Sequence, residues 1–420
     1  MNVIFDISLL GTVNYHGHRT GIARAIEDLL GGITKLTECQ MAFCACNSLE
    51  QLIQAAISLS NHPTFAGKQF CPPGNVLLHQ VARVCTKIYP DKLSSETQRV
   101  RRRVVSFFLK RLTTFYHSLD RDVLENADIF HSTFFPLPAY IHRSSALQRF
   151  ITIYDMIPVL FPEYFETQII KNFTEIIRSI RADDWVIAIS QSTKDDFCDR
   201  MSFDPSRVFV TPLAASELFY RCSDSMQHIQ VRRRYQIPDG PYALSLCTFE
   251  PRKNIDHTIR SFVRTIREQR IPDLNLVLVG TKGWDFDRIF AEITNDTEMQ
   301  RRIIVTGYVP DKDLASLYSN AMMFVYPSFY EGFGLPPLEA MQCGVPVITS
   351  NSSSLPEVVG DAGIMVDPHD ADALCQAISV LVSDTALREE LRVKSLARAK
   401  DFSWKKCADL TLKAYGTAVS

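Results

Sequence analysis

The stretch SFYEGFGLPPLEAMQCG occupies Ser328–Gly344 and follows the short apolar run Met323–Tyr326. This order is typical of a strand, a glycine-containing loop and a helix, because Pro336 and Pro337 suit a first helical turn and Gly344 suits a helix stop. Free amides at the start of a helix, together with the helix dipole, bind anions. The stretch therefore predicts a diphosphate-binding loop at the carboxyl end of a strand.

Two carboxylates flank this loop: Glu331 lies within it, and Glu339 is expected in the first turn of the helix. A carboxylate beside a diphosphate would repel it, but a carboxylate also accepts two strong hydrogen bonds from vicinal sugar hydroxyls. One of the two glutamates is therefore predicted to hold the ribose of a nucleotide. The alternative is that Glu339 only places a favourable negative charge near a helix N-terminus.

A second motif, TFEPRKN at Thr248–Asn254, follows the apolar run Ala243–Cys247. Arg252 and Lys253 would then lie at the carboxyl end of a parallel strand, where open α/β sheets bind ligands. A forked guanidinium and a point-charge ammonium suit two phosphates, and they would stabilise the charge of a departing phosphate. The alternative is an exposed basic turn, and the glycine loop in the same domain favours the phosphate interpretation.

Around these motifs, short apolar runs alternate with helix-period segments along the chain. Continuous apolar strands that alternate with helices predict parallel sheets covered on both faces, and two such series predict two doubly wound, Rossmann-like domains of the α/β class. The predicted strands are Val3–Ile7, Ala42–Cys46, Ile129–Ser132, Phe150–Tyr154, Val186–Ile189, Val208–Val210, Ala243–Cys247, Leu276–Val279, Ile303–Thr306, Met323–Tyr326, Val347–Ile348 and Ile364–Val366.

The domain boundary is expected in a polar stretch that ends with a Pro-Asp-Gly turn signal just before Pro241. We therefore predict a first domain over residues 1–220 and a second domain over residues 221–398, which contains both motifs. Residues 399–420 are predicted to form a helix that crosses back to the first domain.

Length and composition limit the class of protein. The chain has 420 residues, and its 45 basic residues balance 47 acidic ones, so nothing global indicates a nucleic-acid partner. Eleven cysteines without regular spacing argue for a reducing compartment, and the pair Cys44 and Cys46 leaves a metal site only as an alternative. The start MNVIFDISLL is typical of a strand rather than a signal peptide, and no apolar stretch is long enough to span a bilayer. We therefore expect a cytoplasmic protein.

Two Asp-x-Asp pairs, Asp285/Asp287 and Asp311/Asp313, raise the question of a metal-dependent enzyme. Both pairs lie where helices are expected to start, and acidic residues are normal there. Since no further ligand set accompanies them, we expect no metal and no cofactor.

The segment 99–116 reads RVRRRVVSFFLKRLTTFY and mixes six basic residues with apolar ones at roughly helical spacing. This pattern is compatible with an amphipathic helix that lies on an anionic membrane surface, so a peripheral contact with the cytoplasmic membrane face is one interpretation, although charge patterns of this kind are common on solvated helices. The alternative is an inserted helix that packs on its own domain.

The motifs TFEPRKN and YEGFGLPPLEAMQCGVPVITS together resemble the retaining glycosyltransferases of the GT-B fold, family four in the usual classification. The likeness is dense from Tyr242 to Asp370 and looser in the first half, where TGIARAIEDLL, HSTFFPLP and TIYDMIPVLFPEYF fit the pattern. The resemblance implies two Rossmann-like domains facing a central cleft, with the acceptor on the first domain and a nucleotide sugar on the second.

The resemblance also implies roles for individual residues. Glu331 would lie near the transferred sugar and Glu339 on the ribose. Lys253, helped by Arg252, would bind the phosphates. The other matching positions are the amides of Phe333, Gly334 and Leu335 for the distal phosphate, Gly307, Tyr308 and Val309 beside the nucleobase, Thr248 on the donor side, and Gly21 and Arg24 on the acceptor side.

Two positions depart from the family pattern. Where members often have histidine followed by aspartate, this chain has Tyr154 and Asp155, and a neutral tyrosine is a poor base at neutral pH. His131, at the end of another predicted strand, could compensate, although a lone histidine is usually structural. Many members also have arginine where this chain has Thr248, a role that Arg252 could take.

These features predict a retaining, metal-independent hexosyltransferase that uses a GDP- or UDP-linked sugar and a glycan or lipid-linked glycan acceptor in polysaccharide biosynthesis. A nucleotide-sugar epimerase is the first alternative, and it would convert the donor with no acceptor present. A non-catalytic sugar-nucleotide-binding protein is the second, and it would bind the donor without releasing nucleotide. A dehydrogenase is disfavoured because no G-x-G-x-x-G follows the first strand.

Overall fold

The computed structural model describes residues 1–16, 20–36, 39–62, 64–89, 96–113, 119–271, 273–281 and 297–420. The chain forms two compact units. Unit 1 comprises Met1–Ile189, Thr193–Pro212 and Trp404–Ser420, and unit 2 comprises Ser190–Ser192 and Leu213–Ser403. Residues 213–220 and 399–403 thus lie in unit 2, whereas the sequence predicts boundaries after residues 220 and 398.

Unit 1 contains a parallel sheet with the strand order β3-β2-β1-β4-β5-β6-β7. Its central strands are almost wholly buried, which explains their nearly continuous apolar sequences. The strand order reverses at β1, as in doubly wound folds. The strands are β1 Asn2–Asp6, β2 Gln40–Cys44, β3 Gln69–Phe70, β4 Ile129–Ser132, β5 Gln148–Ile153, β6 Trp185–Ala188 and β7 Val208–Val210.

Helices connect these strands, because parallel neighbours need crossover connections. Polar side chains start several of them: Thr20 accepts a hydrogen bond from the Ala23 amide (3.2 Å), and Ser48 accepts one from the Gln51 amide (3.1 Å). The helices are α1 Ser8–His16, α2 Gly21–Ile33, α3 Leu49–Asn61, α4 Val76–Ile88, α5 Glu96–Thr113, α6 Arg121–Glu125, α7 Ile157–Leu160, α8 Thr167–Arg178 and α9 Gln191–Met201.

The last helix of the chain, Trp404–Val419, belongs to unit 1. It packs on α2, where a Cβ at Gly32 would stand 2.9 Å from the Trp404 carbonyl oxygen, so the close approach requires glycine. Its buried side chains include Cys407 and Tyr415. The C-terminal segment therefore contributes to the core of unit 1.

Unit 2 contains a second parallel sheet with the order β10-β9-β8-β11-β12-β13. Strands β9, β11 and β12 are buried along their whole length, as expected for a sheet covered on both faces. The strands are β8 Tyr242–Leu246, β9 Asn275–Val279, β10 Ile303–Gly307, β11 Met323–Tyr326, β12 Val347–Ser350 and β13 Gly363–Val366.

The helices of unit 2 include α13, which begins at Asp311. Asp313 in its first turn is buried and accepts hydrogen bonds from Arg234 (2.6 Å) and the Tyr235 hydroxyl (2.7 Å), so this carboxylate is already engaged. The other acidic pair, Asp285/Asp287, lies outside the described residues. The helices are α10 Ser225–Arg234, α11 Ile255–Gln269, α12 Thr297–Arg302, α13 Asp311–Ser319, α14 Leu335–Gln342, α15 Leu355–Val359, α16 Ala371–Ser383 and α17 Thr385–Ala399, and Trp404–Val419 of unit 1 is α18.

The described part of the chain contains neither a cluster of metal ligands nor a membrane-spanning helix. There, no three His, Cys, Asp or Glu side chains are grouped so that they could hold a metal ion, and the sulfurs of Cys44 and Cys46 lie 3.5 Å apart. Within the same ranges, no helix combines the length and the apolar character needed to cross a membrane. Of the basic segment, residues 99–113 lie in α5, and 114–116 are outside the described residues.

Candidate active site

The topology of the second sheet brings the two sequence motifs together. Strand β8 pairs in parallel with β11, with Ala243 opposite Met323. The carboxyl ends of the two strands therefore meet at one edge of unit 2, where the Phe329 amide donates to the Arg252 carbonyl (2.9 Å). The basic motif after β8 and the glycine loop after β11 thus form one continuous region.

Asn254 fixes the turn of the basic motif. Pro251–Lys253 forms a single 3-10 turn, and Asn254 follows it in the left-handed region, with φ 58° and ψ 35°. Its buried amide group donates to the carbonyls of Pro327 (3.0 Å) and Pro368 (2.8 Å). Asparagine tolerates the left-handed region better than most residues, and its amide supplies two donors. The turn before α11 is therefore tied to the end of β11, which carries the glycine loop.

Glu331 is the centre of a buried ion-pair cluster. Its Oε1 accepts hydrogen bonds from Lys253 Nζ (2.7 Å) and the Tyr326 hydroxyl (2.8 Å). Its Oε2 lies 3.2 Å from Arg252 Nη1. Arg252 Nη2 also donates to the Glu250 carboxylate (2.7 Å). Two cations and two carboxylates therefore share one small region behind the glycine loop.

The pKa of Glu331 reflects opposing effects. Burial raises it, but the charges of Lys253 and Arg252 and the hydrogen bonds from Lys253 and Ser328 lower it to about 2. The carboxylate is thus ionised at neutral pH and cannot act as a general acid. Burial raises the pKa of Tyr326 well above its usual range, so its phenol stays protonated and donates to Glu331.

The two basic residues differ in how their donors are used. Arg252 Nη1 donates to the Tyr330 carbonyl (2.5 Å), and its Nη2 is held by Glu250, so protein acceptors engage much of the guanidinium. Lys253 has three ammonium protons and two protein partners, Tyr326 and Glu331. Lys253 is therefore the better candidate for direct contact with a phosphate, and Arg252 for holding Glu331 and the loop in position.

The glycine loop ends in a left-handed residue at the start of α14. Gly334 has φ 106° and ψ 47°, a conformation that strongly favours glycine. A Cβ there would also stand 2.8 Å from Leu355 Cδ2. Because Pro336 and Pro337 carry no N–H group, the amides that this helix start offers to an anion come from Leu335 and the residues before it.

Serine side chains hold the backbone of the loop. Ser353 Oγ accepts from the Glu331 amide, and Ser354 Oγ donates to the Glu331 carbonyl, both at 2.9 Å. Phe333 is buried, and its ring meets the Phe402 ring edge-on at a centroid distance of 5.8 Å. The family resemblance predicts that Phe333–Leu335 binds the distal phosphate. This stretch begins two residues after Glu331, so it lies on the loop whose backbone these contacts anchor.

Glu339 lies deeper in the helix than the sequence predicts. Helix α14 begins at Leu335, which places Glu339 in its second turn rather than its first and away from the free amides. The side chain is buried, and its Oε2 accepts a hydrogen bond from the Tyr318 hydroxyl (3.1 Å). The interpretation of Glu339 as only a charge at the helix start is therefore wrong for this helix.

The other predicted donor-side residues lie at the carboxyl ends of neighbouring strands. Gly307 ends β10 with φ 71°, and its carbonyl accepts from the Gly280 amide after β9 (3.1 Å). Tyr308 is 67% exposed, whereas Val309 is buried. Thr248, after β8, is exposed. Since β10, β9, β8 and β11 are consecutive in the sheet, these positions share one edge with the ion-pair cluster.

Unit 1 contains the predicted acceptor-side residues. Tyr154 follows β5 and is half-buried, with its ring 6.2 Å from the Phe134 ring, and burial raises the pKa of its phenol. Asp155 Oδ1 accepts from the Ile157 amide (2.9 Å) and so caps α7. Gly21 and Arg24 lie in the first turn of α2, where Gly21 is exposed and Arg24 is half-buried.

His131 does not have the accessible position that an acceptor-side role needs. It is completely buried, its Nδ1 lies 2.5 Å from the Tyr415 hydroxyl, and its Nε2 lies 2.8 Å from Thr152 Oγ1. Burial lowers its pKa to about 3, so the ring is neutral at physiological pH. The contacts therefore agree with the structural interpretation of His131 and not with the alternative that it compensates for the missing family histidine, because both ring nitrogens bind partners in the core between β4, β5 and α18.

Sequence reasoning missed Asp6, at the carboxyl end of β1. Its Oδ1 accepts from the Ser8 amide (2.9 Å) and hydroxyl (2.5 Å), and its Oδ2 is buried with no hydrogen-bond partner among the described residues. Burial raises its pKa to about 6, despite the hydrogen bonds from Ser8. The signal was present, since an acidic residue inside the apolar run VIFDI is unusual and calls for a local partner.

Comparisons with known proteins show the family of the chain. The family model described as glycosyl transferases group 1 matches residues 229–398, the part of the chain that contains both motifs. The O-antigen chain mannosyltransferase B of Escherichia coli is 38% identical over 289 residues, which cover 68% of this chain and 74% of that protein. The serotype-specific mannosyltransferase WbdA of Escherichia coli is 34% identical over 269 residues, which cover 62% of this chain but only 32% of that longer protein.

A solved structure extends the likeness to the whole fold. HepE from Anabaena in complex with UDP matches with a TM-score of 0.67 at 14% identity, and the match covers 99% of each chain. At that identity the likeness concerns the fold, which is two Rossmann-like parallel-sheet units of the GT-B kind. On its family model, its relatives and its fold, the chain belongs to the group 1 glycosyltransferases and is a glycosyltransferase enzyme.

Proposed function

We propose that this chain transfers a hexose from a nucleotide-diphosphate sugar to a hydroxyl group of a glycan or lipid-linked glycan, with retention of configuration and without a metal ion. The observation that carries the proposal is the cluster of Lys253, Arg252 and Glu331 beside the glycine loop of unit 2. Few functions other than diphosphate binding require two cations and a helix start at the switch point of a parallel sheet.

The donor is proposed to be a GDP- or UDP-linked hexose, with mannose as the first choice. Two relatives are named mannosyltransferases, and HepE was solved with UDP, which supports a nucleoside diphosphate as the leaving group. The exposed Tyr308 at the end of β10 suits the nucleobase, and the buried Glu339 suits the ribose hydroxyls. The O-antigen relative also supports a polysaccharide or lipid-linked glycan as the acceptor.

Lys253 and the loop amides would stabilise the charge that grows on the leaving diphosphate. The ionised Glu331 neutralises the two cations in the resting enzyme, so a bound donor would compete with it for Lys253. As the glycosidic C–O bond breaks, its electron pair moves onto the diphosphate oxygen, where Lys253 can bind it. That oxygen would accept the proton of the acceptor hydroxyl, so the reaction needs no histidine base at the position of Tyr154.

Metal independence is part of the proposal. Lys253 and Arg252 would supply the positive charge that a divalent ion supplies in other transferases. The engagement of Asp313 by Arg234 and Tyr235 supports a structural role for the acidic pair that includes it. Turnover is therefore expected to persist in an excess of EDTA.

The acceptor is proposed to bind on unit 1, through Arg24, Gly21 and the Tyr154–Asp155 strand end. Exclusion of water from the donor site would protect the activated sugar from hydrolysis. We also propose a peripheral contact with an anionic membrane surface through residues 99–116, which suits a lipid-linked acceptor.

The test is nucleotide release from GDP-mannose, UDP-glucose and related donors in the presence of a glycan acceptor, after a thermal-shift screen has identified the donor that stabilises the protein. Lys253→Ala is expected to lower turnover by about a thousandfold, because it removes the main cation from the leaving group. The control is Lys312→Ala, since Lys312 is exposed on α13. Equal activity of the two variants would refute the proposal.

The same assay separates the alternatives. An epimerase would convert the donor sugar when no acceptor is present, and its product would be a second nucleotide sugar. A non-catalytic binding protein would be stabilised by the donor but would release no nucleotide with any acceptor. Release that depends on the acceptor supports the transferase alone.

A further inference from the structure

Two helices of unit 1 expose an unusual amount of apolar surface. On α5 the exposed apolar residues recur at spacings of four, three and one, which places them on one face of the helix. The opposite face of α5 carries Leu109, which is 1% exposed and packs inward. The exposed side chains and their accessible fractions are Val100 (53%), Val104 (52%), Phe107 (54%) and Phe108 (60%) on α5, and Val76 (77%), Leu77 (70%) and Val84 (58%) on α4.

Basic residues surround this apolar face. Helix α5 carries six arginines and lysines against one glutamate, and α4 carries two basic residues and no acidic one, although the whole chain has a net charge of −2. Arg101 and Arg103 lie on either side of the stripe that begins at Val100, and the Arg111 guanidinium lies 4.8 Å from the centre of the Phe107 ring. A local excess of positive charge thus lies beside the exposed phenylalanines of α5.

Buried polar contacts hold the two helices in this orientation. Ser106 Oγ on α5 donates to Glu50 Oε1 (2.6 Å), and the Tyr89 hydroxyl after α4 donates to the same oxygen (2.8 Å). Gln54 Nε2 in turn donates to the Tyr89 hydroxyl (3.1 Å). Glu50 and Gln54 belong to α3, so α3 supports both helices. The phenylalanines of α5 cannot turn inward without breaking these bonds.

We infer that α4 and α5 form a docking face for an anionic lipid bilayer, with Phe107 and Phe108 inserted among the acyl chains and the arginines at the phosphate level. The inference deepens the membrane contact proposed above and adds α4 and the inserted residues to it. A half-exposed phenylalanine gains free energy on entering the acyl region, and each basic residue gains from the negative surface potential. A nucleic acid or an acidic protein would match the charge but would leave the exposed phenylalanines in water.

The test is flotation of the full chain with lipid vesicles, either of phosphatidylcholine alone or with about 30 mol % phosphatidylglycerol, a composition that gives a strongly negative surface. We expect binding to the anionic vesicles only, and weaker binding as salt rises. The double variant Phe107→Ser/Phe108→Ser is expected to bind about thirtyfold more weakly, because both rings leave the apolar region. Arg101→Gln/Arg103→Gln is expected to lose roughly fivefold per arginine.

Matched controls use residues outside the face. Val393→Ser, on α17, changes a side chain that is 55% exposed, and Arg143→Gln/Arg233→Gln removes two exposed arginines. Both controls should bind vesicles like the wild type, and circular dichroism with a thermal melt should show that every variant is folded. Leu77→Ser/Val84→Ser tests α4 separately, and unchanged binding of that variant would remove α4 from the face.

The inference fails if the wild type does not float with anionic vesicles, if the phenylalanine variant binds like the wild type, or if short duplex DNA competes fully with the vesicles. Nucleotide release with a water-soluble acceptor separates this failure from failure of the proposed function. The phenylalanine variant should retain that activity, whereas Lys253→Ala should lose the activity and still bind vesicles.

Discussion

The buried ionisable groups at the carboxyl edges of the two parallel sheets differ in charge: one is ionised in unit 2, whereas burial favours the neutral form in unit 1. In unit 2, Glu331 is paired with Lys253 and Arg252, and its pKa is lowered to about 2 in spite of burial. In unit 1, burial dominates: the pKa of His131 is lowered to about 3, and that of Asp6 is raised to about 6. Burial favours the neutral form of a group unless an opposite charge is supplied, as Lys253 and Arg252 supply it to Glu331.

The two edges therefore suit different ligands: the paired charges of unit 2 suit a charged diphosphate, and the neutral groups of unit 1 suit an uncharged sugar hydroxyl. A diphosphate needs cations that are held in place before it arrives, and paired carboxylates offset part of the cost of burying those cations. A sugar hydroxyl needs only neutral hydrogen-bonding groups, and the tyrosine at position 154 with its raised pKa is such a group. The comparison therefore supports donor binding on unit 2 and acceptor binding on unit 1.

The largest effect is expected when the charge pairing of unit 2 is broken. Glu331→Gln would leave Lys253 and Arg252 buried without their shared counter-charge, which should lower the free energy of unfolding by about 3–5 kcal/mol at pH 7. Because the pKa of Glu331 is lowered from 4.5 to about 2, its stabilisation is present above pH 4.5 and is lost as the pH falls toward 2. Urea titrations at several pH values measure both effects.

A surface pair provides the control for that experiment. Glu298→Gln removes the partner of Arg302 in an ion pair whose glutamate is 64% exposed. Its effect should stay below about 1 kcal/mol, since exposed pairs contribute little. If Glu331→Gln were no more harmful than Glu298→Gln, the cluster would not be the organising feature of unit 2.

The next effect concerns Asp6 and has the opposite dependence on pH. Its pKa is raised from 3.8 to about 6, so its carboxyl group costs little stability below pH 3.8 and costs progressively more as the pH rises through 6. The stability of Asp6→Asn relative to the wild type should therefore rise by about 2.4 kcal/mol between pH 4 and pH 7.5. The exposed Asp199→Asn gives the reference, and parallel pH profiles for the two variants would contradict the assignment of a buried, unpaired carboxyl to Asp6.

Most of the fold could be predicted from the sequence, because parallel strands that are buried on both faces have continuous apolar sequences. All twelve predicted strands coincide with observed ones to within two residues at either end, and β12 reaches that limit because it continues through the polar residues Thr349 and Ser350. The strand that was missed, Gln69–Phe70, has two residues and lies at the edge of the sheet, so it has no apolar run to reveal it. The helix α14 began where its prolines indicated, one turn before Glu339.

The site was only partly readable, since contacts between distant residues leave no local pattern. The motifs identified Lys253 and Glu331, but nothing in the sequence indicated that they bind each other or that Tyr326 completes the cluster. Asn254 was quoted within a motif, yet its bonds to two proline carbonyls, at 327 and 368, depend on the folded sheet. His131 shows the converse error, because a strand-end position does not reveal which face of the sheet the side chain occupies.

The smallest effect tests whether His131 is the neutral core residue that its contacts indicate. The pKa of His131 is lowered from 6.5 to about 3. Between pH 6.5 and pH 3 the unfolded chain therefore binds a proton at this ring and the folded chain does not. The free energy of unfolding must consequently fall as the pH drops below 6.5. At pH 5 this loss should amount to about 2 kcal/mol relative to pH 8. In His131→Gln that part of the pH dependence should disappear. Loss of the ring's contacts with Tyr415 and Thr152 should lower the free energy of unfolding by the same amount at every pH, so it does not change the shape of the profile. His79→Gln, on α4, should keep the wild-type profile. A His131→Gln variant that keeps it too would mean that His131 takes up its proton equally readily in the folded and the unfolded chain, which contradicts a buried, neutral ring.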